Sequence, residues 1–251
     1  MSDAGLDFIR PLWPLQQHLE VVTTTRCGGF SAAPFNALNL ALHVGDDRLA
    51  VRRNRALIKQ QLNLPQEPKW LQQVHATTLV CADELIPDEV QADASYSQQA
   101  GTVCAILSAD CMPIVLAASD ASCVVLLHAG WRGLAAGIVQ KSLAVIRSKQ
   151  ARDIEFYAWL GPAIGAQVFE VGAEVRAEFM KQDAGLACAF KEYRQQRYLC
   201  DLYLLARRIL AAADVNQVFG GEHCTYSDQD RFFSYRRAST TGRIATLAYL
   251  K

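Results

Sequence analysis

The chain has 251 residues, and its 25 Lys and Arg residues balance 25 Asp and Glu residues, so the formal charge is zero. Hydrophobic residues make up 51% of the sequence, which is too high a fraction for a disordered chain. A neutral chain also lacks the basic footprint of a nucleic-acid-binding protein. We therefore predict one folded domain over residues 1–251, large enough for a substantial core and without a nucleic-acid partner.

The N-terminal segment predicts no secretory leader, because Asp7 and Pro11 interrupt the continuous apolar stretch that a leader requires. Apolar runs elsewhere are far shorter than the ~20 residues of a membrane span. The eight cysteines form no Cys-x-x-Cys pair, and several lie in apolar runs, where a thiol behaves as a small hydrophobe. We interpret them as reduced thiols of a cytoplasmic protein that has no membrane partner.

Hydrophobic periodicity predicts the secondary structure in chain order. A strand at 21–25 and a helix at 46–62 precede three short apolar runs at 102–108, 113–118 and 123–128, which are typical of strands buried on both faces. The remaining predicted elements are helices at 134–148, 173–182 and 202–213, the last capped by Asp201, and strands at 154–160, 215–219 and 244–250. Because strands and helices do not alternate strictly, the pattern favours an α+β fold over a doubly wound parallel sheet.

Three residues near the ends of apolar segments carry the strongest chemical signal, and they are His75, Cys111 and His128. Cys111 lies in the turn between two predicted strands that we expect to be neighbours, and His128 closes the next strand. Two imidazoles and one thiolate suit zinc, and three protein ligands leave a fourth position for water, as in catalytic zinc sites. The spacing alone is a weak signal, but Asp110 and Arg132 stand beside these residues and strengthen it.

A series of short segments, in order along the chain, resembles the laccase-domain family, also called polyphenol oxidase or YfiH-like. The segments are Thr25-Arg26-Cys27-Gly28-Gly29-Phe30-Ser31, Leu38-Asn39-Leu40, His43-Val44-Gly45-Asp46-Asp47, Asn54-Arg55, Gln73-Val74-His75, Ala92-Asp93-Ala94, Ser108-Ala109-Asp110-Cys111-Met112-Pro113, His128-Ala129-Gly130-Trp131-Arg132-Gly133, Gly161-Pro162-Ala163-Ile164-Gly165 and Phe232-Phe233-Ser234-Tyr235-Arg236-Arg237. One departure is Phe169, where a tyrosine is expected before Glu-Val.

The resemblance implies a four-layer α/β/β/α arrangement with mixed sheets in a single domain. It also implies that His75, Cys111 and His128 bind zinc. Copper is an alternative, adventitious occupant, because its affinity for such donors exceeds that of zinc in the usual order. Members of the family are assigned as purine nucleoside phosphorylases, so the implied reaction converts adenosine, inosine, guanosine or methylthioadenosine to free base and the sugar 1-phosphate. Adenosine deaminase activity is implied beside it. The implied small-molecule partners are therefore a purine nucleoside and phosphate. For the oligomeric state, we expect a monomer or a homodimer.

Phosphorolysis requires a cationic cradle, since an arginine fork matches the oxygens of phosphate. Arg26 and Arg132 are the first candidates, because adjacent glycines permit close backbone approach, and Arg236 is the second choice. Asn39 and His43, from matching segments, complete the predicted substrate and phosphate site. Four aromatic residues are candidates either for stacking on a purine or for packing at the rim of the site, and they are Trp131, Phe232, Phe233 and Tyr235.

Asp110, Cys111 and Arg132 are the predicted catalytic residues, with Asp110 as an acid/base or as a group that orients a metal ligand. Deamination would need a scaffold of its own, because the H-x-E and P-C-x-x-C motifs of nucleobase deaminases are absent from the sequence. A four-copper laccase needs many imidazoles, whereas this chain has five histidines and no His-x-His pair.

Two other hypotheses remain open at this point. The first is a cysteine hydrolase that edits a peptidoglycan precursor, with Cys111 as the nucleophile and His128 as its base. The second is a structural zinc module without catalysis. Chelation should abolish activity if zinc is required, whereas thiol alkylation should abolish it if Cys111 is the nucleophile.

Overall fold

The computed structural model describes residues 5–85, 90–149 and 153–251. The strands are β1 (Phe8–Ile9), β2 (Leu19–Thr24), β3 (Leu79–Cys81), β4 (Ala94–Ser97), β5 (Cys104–Ser108), β6 (Met112–Ala118), β7 (Val124–Ala129), β8 (Phe156–Leu160), β9 (Glu170–Gly172), β10 (Phe190–Arg194), β11 (Arg197–Cys200), β12 (Gln217–Gly220) and β13 (Ile244–Leu250). The α-helices are α1 (Arg48–Gln61), α2 (Trp131–Ala135), α3 (Ile138–Ser148), α4 (Ala173–Gln182) and α5 (Leu202–Ala212), with short 3₁₀ helices at Ala82–Glu84 and Ala184–Ala189.

These strands form three sheets. An antiparallel sheet of four strands has the order β1-β2-β13-β5. A mixed sheet of six strands has the order β12-β8-β6-β7-β4-β3, with parallel pairing only at its two edges. The small antiparallel sheet has the order β10-β11-β9. Strands and helices are therefore mixed as an α+β fold requires, and that sequence prediction is confirmed.

The central strands of both large sheets are buried on both faces, which explains their nearly continuous apolar runs. Successive side chains of a strand point to opposite faces, so Leu116 of β6 packs with Leu205 of α5. Its neighbour Val115 packs with Ile106 of β5 between the two sheets.

The outer face of the four-stranded sheet carries a third core, in which Leu107 of β5 packs with Ile58 of α1. The layers are therefore α1, the four-stranded sheet, the six-stranded sheet, and the helices α3 to α5. This order is the α/β/β/α arrangement that the resemblance implies.

Helix boundaries follow from local chemistry. The carboxylate of Asp47 accepts a hydrogen bond from the Leu49 amide at 2.9 Å and begins α1. The predicted cap of α5 is confirmed, because Asp201 accepts from the Leu204 amide at 2.9 Å. The single helix predicted at 134–148 is wrong in detail: α2 ends at Ala135 and α3 begins at Ile138, with Gly137 at φ 82° between them.

One prediction about strand neighbours is wrong, and the error concerns the candidate site. The strands on either side of Cys111 belong to different sheets, because β5 pairs with β13 and β6 pairs with β7 and β8. Residues 109–111 thus cross from one sheet to the other. Sequence periodicity also missed β4 and the small sheet, whose hairpin strand β10 is exposed over most of its length.

Two observations bear on the predicted surroundings of the protein. Cys104, Cys123 and Cys200 are free thiols buried in the cores, as apolar cysteines should be. Among the described residues, no helix combines the length and apolar character needed to cross a membrane.

Candidate metal centre and adjoining cavity

Two histidines and one cysteine, distant in sequence, come together at one point of the structure. One donor atom from each of His75, Cys111 and His128 lies within 4.8 Å of the others. The Sγ of Cys111 is 3.8 Å from the Nε2 of His75, and the centres of the two imidazole rings are 4.8 Å apart. In the described part of the chain this is the one group of three such residues close enough to hold a metal ion.

The pairing of β6 with β7 brings Cys111 to His128. In the register of these strands Met112 faces Ala129 and Pro113 faces His128, so the residue before β6 lies beside the end of β7. Gly130 follows that end, and a Cβ atom there would lie only 2.6 Å from the Sγ of Cys111. The glycine therefore leaves the space that the thiol occupies.

Asp93, which the sequence analysis gave no role, organises the two histidines. Its buried carboxylate accepts a 2.8 Å hydrogen bond from the Nδ1 of His128. It also accepts from three successive backbone amides, those of Val74, His75 and Ala76, at 3.1, 2.9 and 2.7 Å. His75 can thus be held at φ 60°, a left-handed conformation that side chains other than glycine adopt rarely. Because Nδ1 of His128 is engaged, its Nε2 is left for a ligand.

The same contacts set the charges of the group. Burial by itself would raise the pKa of the Cys111 thiol, but the charge of His128 and hydrogen bonds from both histidines lower it to about 6. Burial likewise opposes the charged form of His128, yet Cys111 and Asp93 raise its pKa to about 9. Without a metal, Cys111 and His128 are therefore a thiolate and an imidazolium at neutral pH.

The group opens into a cavity of about 520 Å³, within the range of small-molecule sites. We call this space the central cavity. Its polar lining includes His43, Gln73, Asp110, Arg132, Arg236 and Arg243, and its apolar lining includes Leu107, Ile164, Phe169 and Leu202. Burial and the positive charges of Arg243 and Arg55 lower the pKa of His43, so its imidazole is neutral at pH 7.

Asp110 lies at the wall of the central cavity, and both oxygens of its carboxylate accept hydrogen bonds from the protein. One oxygen accepts from the Thr225 hydroxyl at 2.7 Å. The other accepts from the Ser234 hydroxyl at 3.0 Å and from the Arg236 amide at 2.7 Å. These contacts hold residues 109–111 against the loop between β12 and β13 (residues 221–243), which we call the C-terminal loop. They favour a positioning role for Asp110 over acid/base catalysis.

The predicted phosphate and substrate residues do not all meet. Arg132, Arg236 and His43 line the central cavity. Arg26 lies in a different groove, where Asn36 and the Gln229 carbonyl bind its guanidinium.

Asn39 does not line the central cavity either, because its buried side chain forms hydrogen bonds within the loop regions around it. It donates to the Ala41 carbonyl and to Asp46, and it accepts from the amides of Ala41 and Arg243. We therefore assign neither Arg26 nor Asn39 to the cavity.

The aromatic candidates divide in the same way. Phe232 and Phe233 are completely buried in the core between the sheets and cannot stack on a ligand in the cavity. Trp131 and Tyr235 do line the cavity, and Tyr235 is 57% exposed. Phe169, the departure noted in the sequence, lines it too, with the Arg236 guanidinium 5.1 Å from the ring centre.

Sequence reasoning missed two lining residues as well as Asp93. Gln73 pairs its amide with the backbone of Leu107 through two hydrogen bonds of 2.8 Å, which fastens the segment before His75 to β5. Its place two residues before His75 was the available signal. Arg243 stood outside every recognised segment and gave no signal.

Comparison with known proteins identifies the family. Residues 20–251 match the family described as "Multi-copper polyphenol oxidoreductase laccase". The chain is 44% identical over 242 residues to "Purine nucleoside phosphorylase YfiH" of Shigella flexneri, covering 96% of this chain and 98% of that protein. The chain belongs to the laccase-domain (YfiH-like) family.

Further relatives of this family support the same assignment. "Purine nucleoside phosphorylase PA4543" of Pseudomonas aeruginosa is 44% identical over 246 residues, covering 97% of this chain and 98% of that protein. The crystal structure of Neisseria meningitidis NMB0706 has a TM-score of 0.91 and 41% identity, and covers 97% of this chain and 99% of that one. YlmD of Geobacillus stearothermophilus has a TM-score of 0.89 and 30% identity, and covers 100% and 97%.

The donor set of this laccase-domain protein is chemically suited to a metal ion. Nitrogen and thiolate donors favour zinc or copper over magnesium or calcium. The lowered pKa of Cys111 favours the thiolate that a metal requires, and His128 is oriented by a carboxylate in the manner common to metal-binding histidines.

Proposed function

We propose that this protein is a zinc-dependent purine nucleoside phosphorylase. One observation carries the proposal: the group of two histidines and one thiolate opens into the same cavity as three arginines, Arg132, Arg236 and Arg243. None of these arginines forms an ion pair with a carboxylate within the described ranges. Such a cavity attracts an anion, and phosphate is the anion that phosphorolysis consumes. The names of the relatives agree with this reaction.

His75, Cys111 and His128 would hold the metal, with copper as an alternative occupant. Bound there, zinc would supply a Lewis acid at the wall of the cavity. Asp93 holds both histidines in place before any metal arrives, because its contacts are made within the protein itself.

The remaining residues act on the substrate. A phosphate oxygen forms a bond to C1′ of the ribose while the bond from C1′ to N9 breaks, and the base leaves with the electron pair and takes up a proton. Trp131, Phe169 and Tyr235 supply faces on which a purine can stack. The arginines supply the donors that phosphate needs. The proposed substrates, each a purine base on a ribose or a modified ribose, are adenosine, inosine, guanosine and methylthioadenosine.

Adenosine deaminase activity is proposed as a side reaction of the same cavity. The oxygen of water would form a bond to C6 of the purine while the bond from C6 to the amino nitrogen breaks, so adenosine and water would give inosine and ammonia, and the reaction would need no phosphate. We propose that the protein acts in the cytoplasm, as a single domain over 1–251, in monomeric or homodimeric form.

The direct test is an assay of metal-analysed protein with inosine and with adenosine, in the presence and absence of phosphate. We expect hypoxanthine to appear from inosine only when phosphate is present, together with ribose 1-phosphate. Cys111→Ser should abolish this activity, whereas Cys188→Ser should preserve it, because Cys188 is exposed and lies outside the cavity. Inosine that stays intact with phosphate and bound zinc would contradict the proposal.

A second candidate function rests on the charges of Cys111 and His128. A thiol whose pKa is about 6, beside a charged imidazole, is also the nucleophilic pair of a cysteine hydrolase. Its substrate would be a peptidoglycan precursor. Chelation distinguishes the two functions: a metal-free protein that retains full turnover and loses it on thiol alkylation would be the hydrolase.

A further inference from the structure

Arg243, at the start of β13, differs in burial from the other two arginines of the central cavity. Arg132 and Arg236 are exposed, whereas Arg243 is half-buried. Its backbone amide donates to the buried Asn39 at 2.9 Å. A half-buried guanidinium with a fixed main chain keeps less freedom than an exposed one, so it loses less entropy when it binds a ligand.

The hydrogen bonds of Arg243 leave one defined edge of the guanidinium available. Nη1 donates to the carbonyls of Thr241 and Gly242, both at 2.9 Å, which accounts for its two hydrogens. In the described part of the chain, Nε and Nη2 have no hydrogen-bond partner. The Nε and Nη2 hydrogens point the same way as a fork, and this fork fits two oxygens of one phosphate.

In the described part of the chain no carboxylate forms an ion pair with this guanidinium, although Cys111 and Asp110 lie near enough to favour its charged form. Asp110, on the wall of the same cavity, accepts its three hydrogen bonds from Thr225, Ser234 and the Arg236 amide. The guanidinium of Arg243 is therefore partly removed from water, and its Nε and Nη2 have no acceptor among the described residues, in a cavity of suitable size. An oxyanion that entered the cavity would supply the missing acceptors.

Arginines elsewhere in the fold show the opposite arrangement. All three nitrogens of the Arg26 guanidinium donate to Asn36 or to the Gln229 carbonyl. Arg237 donates from Nη1 and Nη2 to three carbonyls. These side chains hold loops together, so their forks are not open to a ligand as the fork of Arg243 is.

We propose that Arg243 forms an oxyanion subsite of the central cavity, which binds inorganic phosphate through two hydrogen bonds from Nε and Nη2. This inference rests on the proposed function for the identity of the anion, but not for the existence of the subsite. It replaces Arg26 by Arg243 among the phosphate-binding residues.

The test measures phosphate binding and turnover separately. Isothermal titration with inorganic phosphate should show a dissociation constant at least about tenfold higher for Arg243→Met than for the wild type, because two charge-assisted hydrogen bonds are lost. The KM for phosphate should rise likewise, whereas the KM for inosine should change by less than about twofold. Arg243→Lys, which keeps the charge without the fork, should lie between the two.

Arg52→Met is the matched control, since Arg52 lines a separate groove beside α1. A second measurement needs no variant: phosphate should protect Arg243 of the wild type from phenylglyoxal, read by peptide mass spectrometry, while Arg52 continues to react. Unchanged modification of Arg243, or wild-type phosphate affinity in a folded Arg243→Met protein, would overturn the subsite.

The outcomes separate the two proposals. Arg243-dependent phosphate binding without release of any base would support the subsite and overturn phosphorolysis. Phosphorolysis with a KM for phosphate that does not depend on Arg243 would support the function and overturn the subsite.

Discussion

Two buried aspartates near the candidate metal centre, Asp93 and Asp110, accept a similar number of hydrogen bonds, but from different kinds of donor. Asp93 accepts hydrogen bonds from three backbone amides and from the Nδ1 of His128. Asp110 accepts from one backbone amide and from the hydroxyls of Thr225 and Ser234. An amide N–H can only donate, whereas a hydroxyl can rotate and accept. The backbone amides around Asp93 therefore require an acceptor-only group such as a carboxylate. The hydroxyls around Asp110 can also accept, so this position can hold a side chain that donates.

The two regions also serve different parts of the site. The donors to Asp93 belong to the segments that carry His75 and His128, so this carboxylate prepares the metal centre. The donors to Asp110 belong to the C-terminal loop with Arg236 and Tyr235, so this carboxylate supports a wall of the central cavity. The same residue type thus holds the candidate metal ligands in one region and the wall of the central cavity in the other.

Asp93→Asn should have the largest effect. Each carboxylate oxygen of Asp93 accepts from two groups, so either orientation of the new amide places its NH₂ against at least one backbone amide that can only donate. We expect zinc affinity to fall about 10–100-fold, measured by competition with a chromogenic chelator. The free energy of unfolding should fall by about 3–5 kcal/mol, because a buried charged pair loses one partner.

The control for that change is Asp110→Asn in the same zinc competition. It substitutes the same residue type in a comparably buried position without touching a proposed metal ligand. Equal losses of zinc affinity in the two variants would remove the distinction between the two aspartates.

Asp110→Asn should itself have a moderate effect. Its amide NH₂ can be placed at the oxygen that faces Thr225, whose hydroxyl then turns to accept. We expect a loss of unfolding free energy of about 0.5–1.5 kcal/mol in chemical denaturation. The KM for the nucleoside should rise while kcat changes little. If Asp110 were the acid/base of the reaction, kcat would instead fall about 10²–10⁴-fold.

The sequence predicted the parts of this molecule that depend on local pattern. Apolar runs identified β5, β6 and β7, because strands covered on both faces need few polar residues. The carboxylate of Asp201 predicted the start of α5 for an equally local reason. The recognised segments also led to His75, Cys111 and His128, which the structure brings together.

What the sequence did not predict depends on contacts between distant segments. No neighbouring residue in the sequence indicates that Asp93 accepts hydrogen bonds from the amides of residues 74–76. In the same way, nothing in the sequence around Arg243 indicates that it lines the central cavity. The crossing of Cys111 from one sheet to the other was missed because periodicity describes a strand but not its partner. Arg26 looked suitable beside its glycines, yet the loop folds so that carbonyl groups occupy its guanidinium.

The smallest expected effect concerns the reactivity of Cys111 in the metal-free protein. Its pKa of about 6 lies below the usual 9.0, so the thiolate exists above about pH 6 and iodoacetamide should label it at pH 7. Cys104, whose pKa burial raises to about 12, is the internal control and should stay unlabelled. Asp93→Asn removes the charge that supports the imidazolium of His128, so the pH midpoint of Cys111 labelling should move upward. Asp110→Asn should leave that midpoint in place. The extent of labelling is measured by peptide mass spectrometry from pH 5 to pH 9. A shift of equal size in the two variants would mean that the two aspartates have the same effect on Cys111.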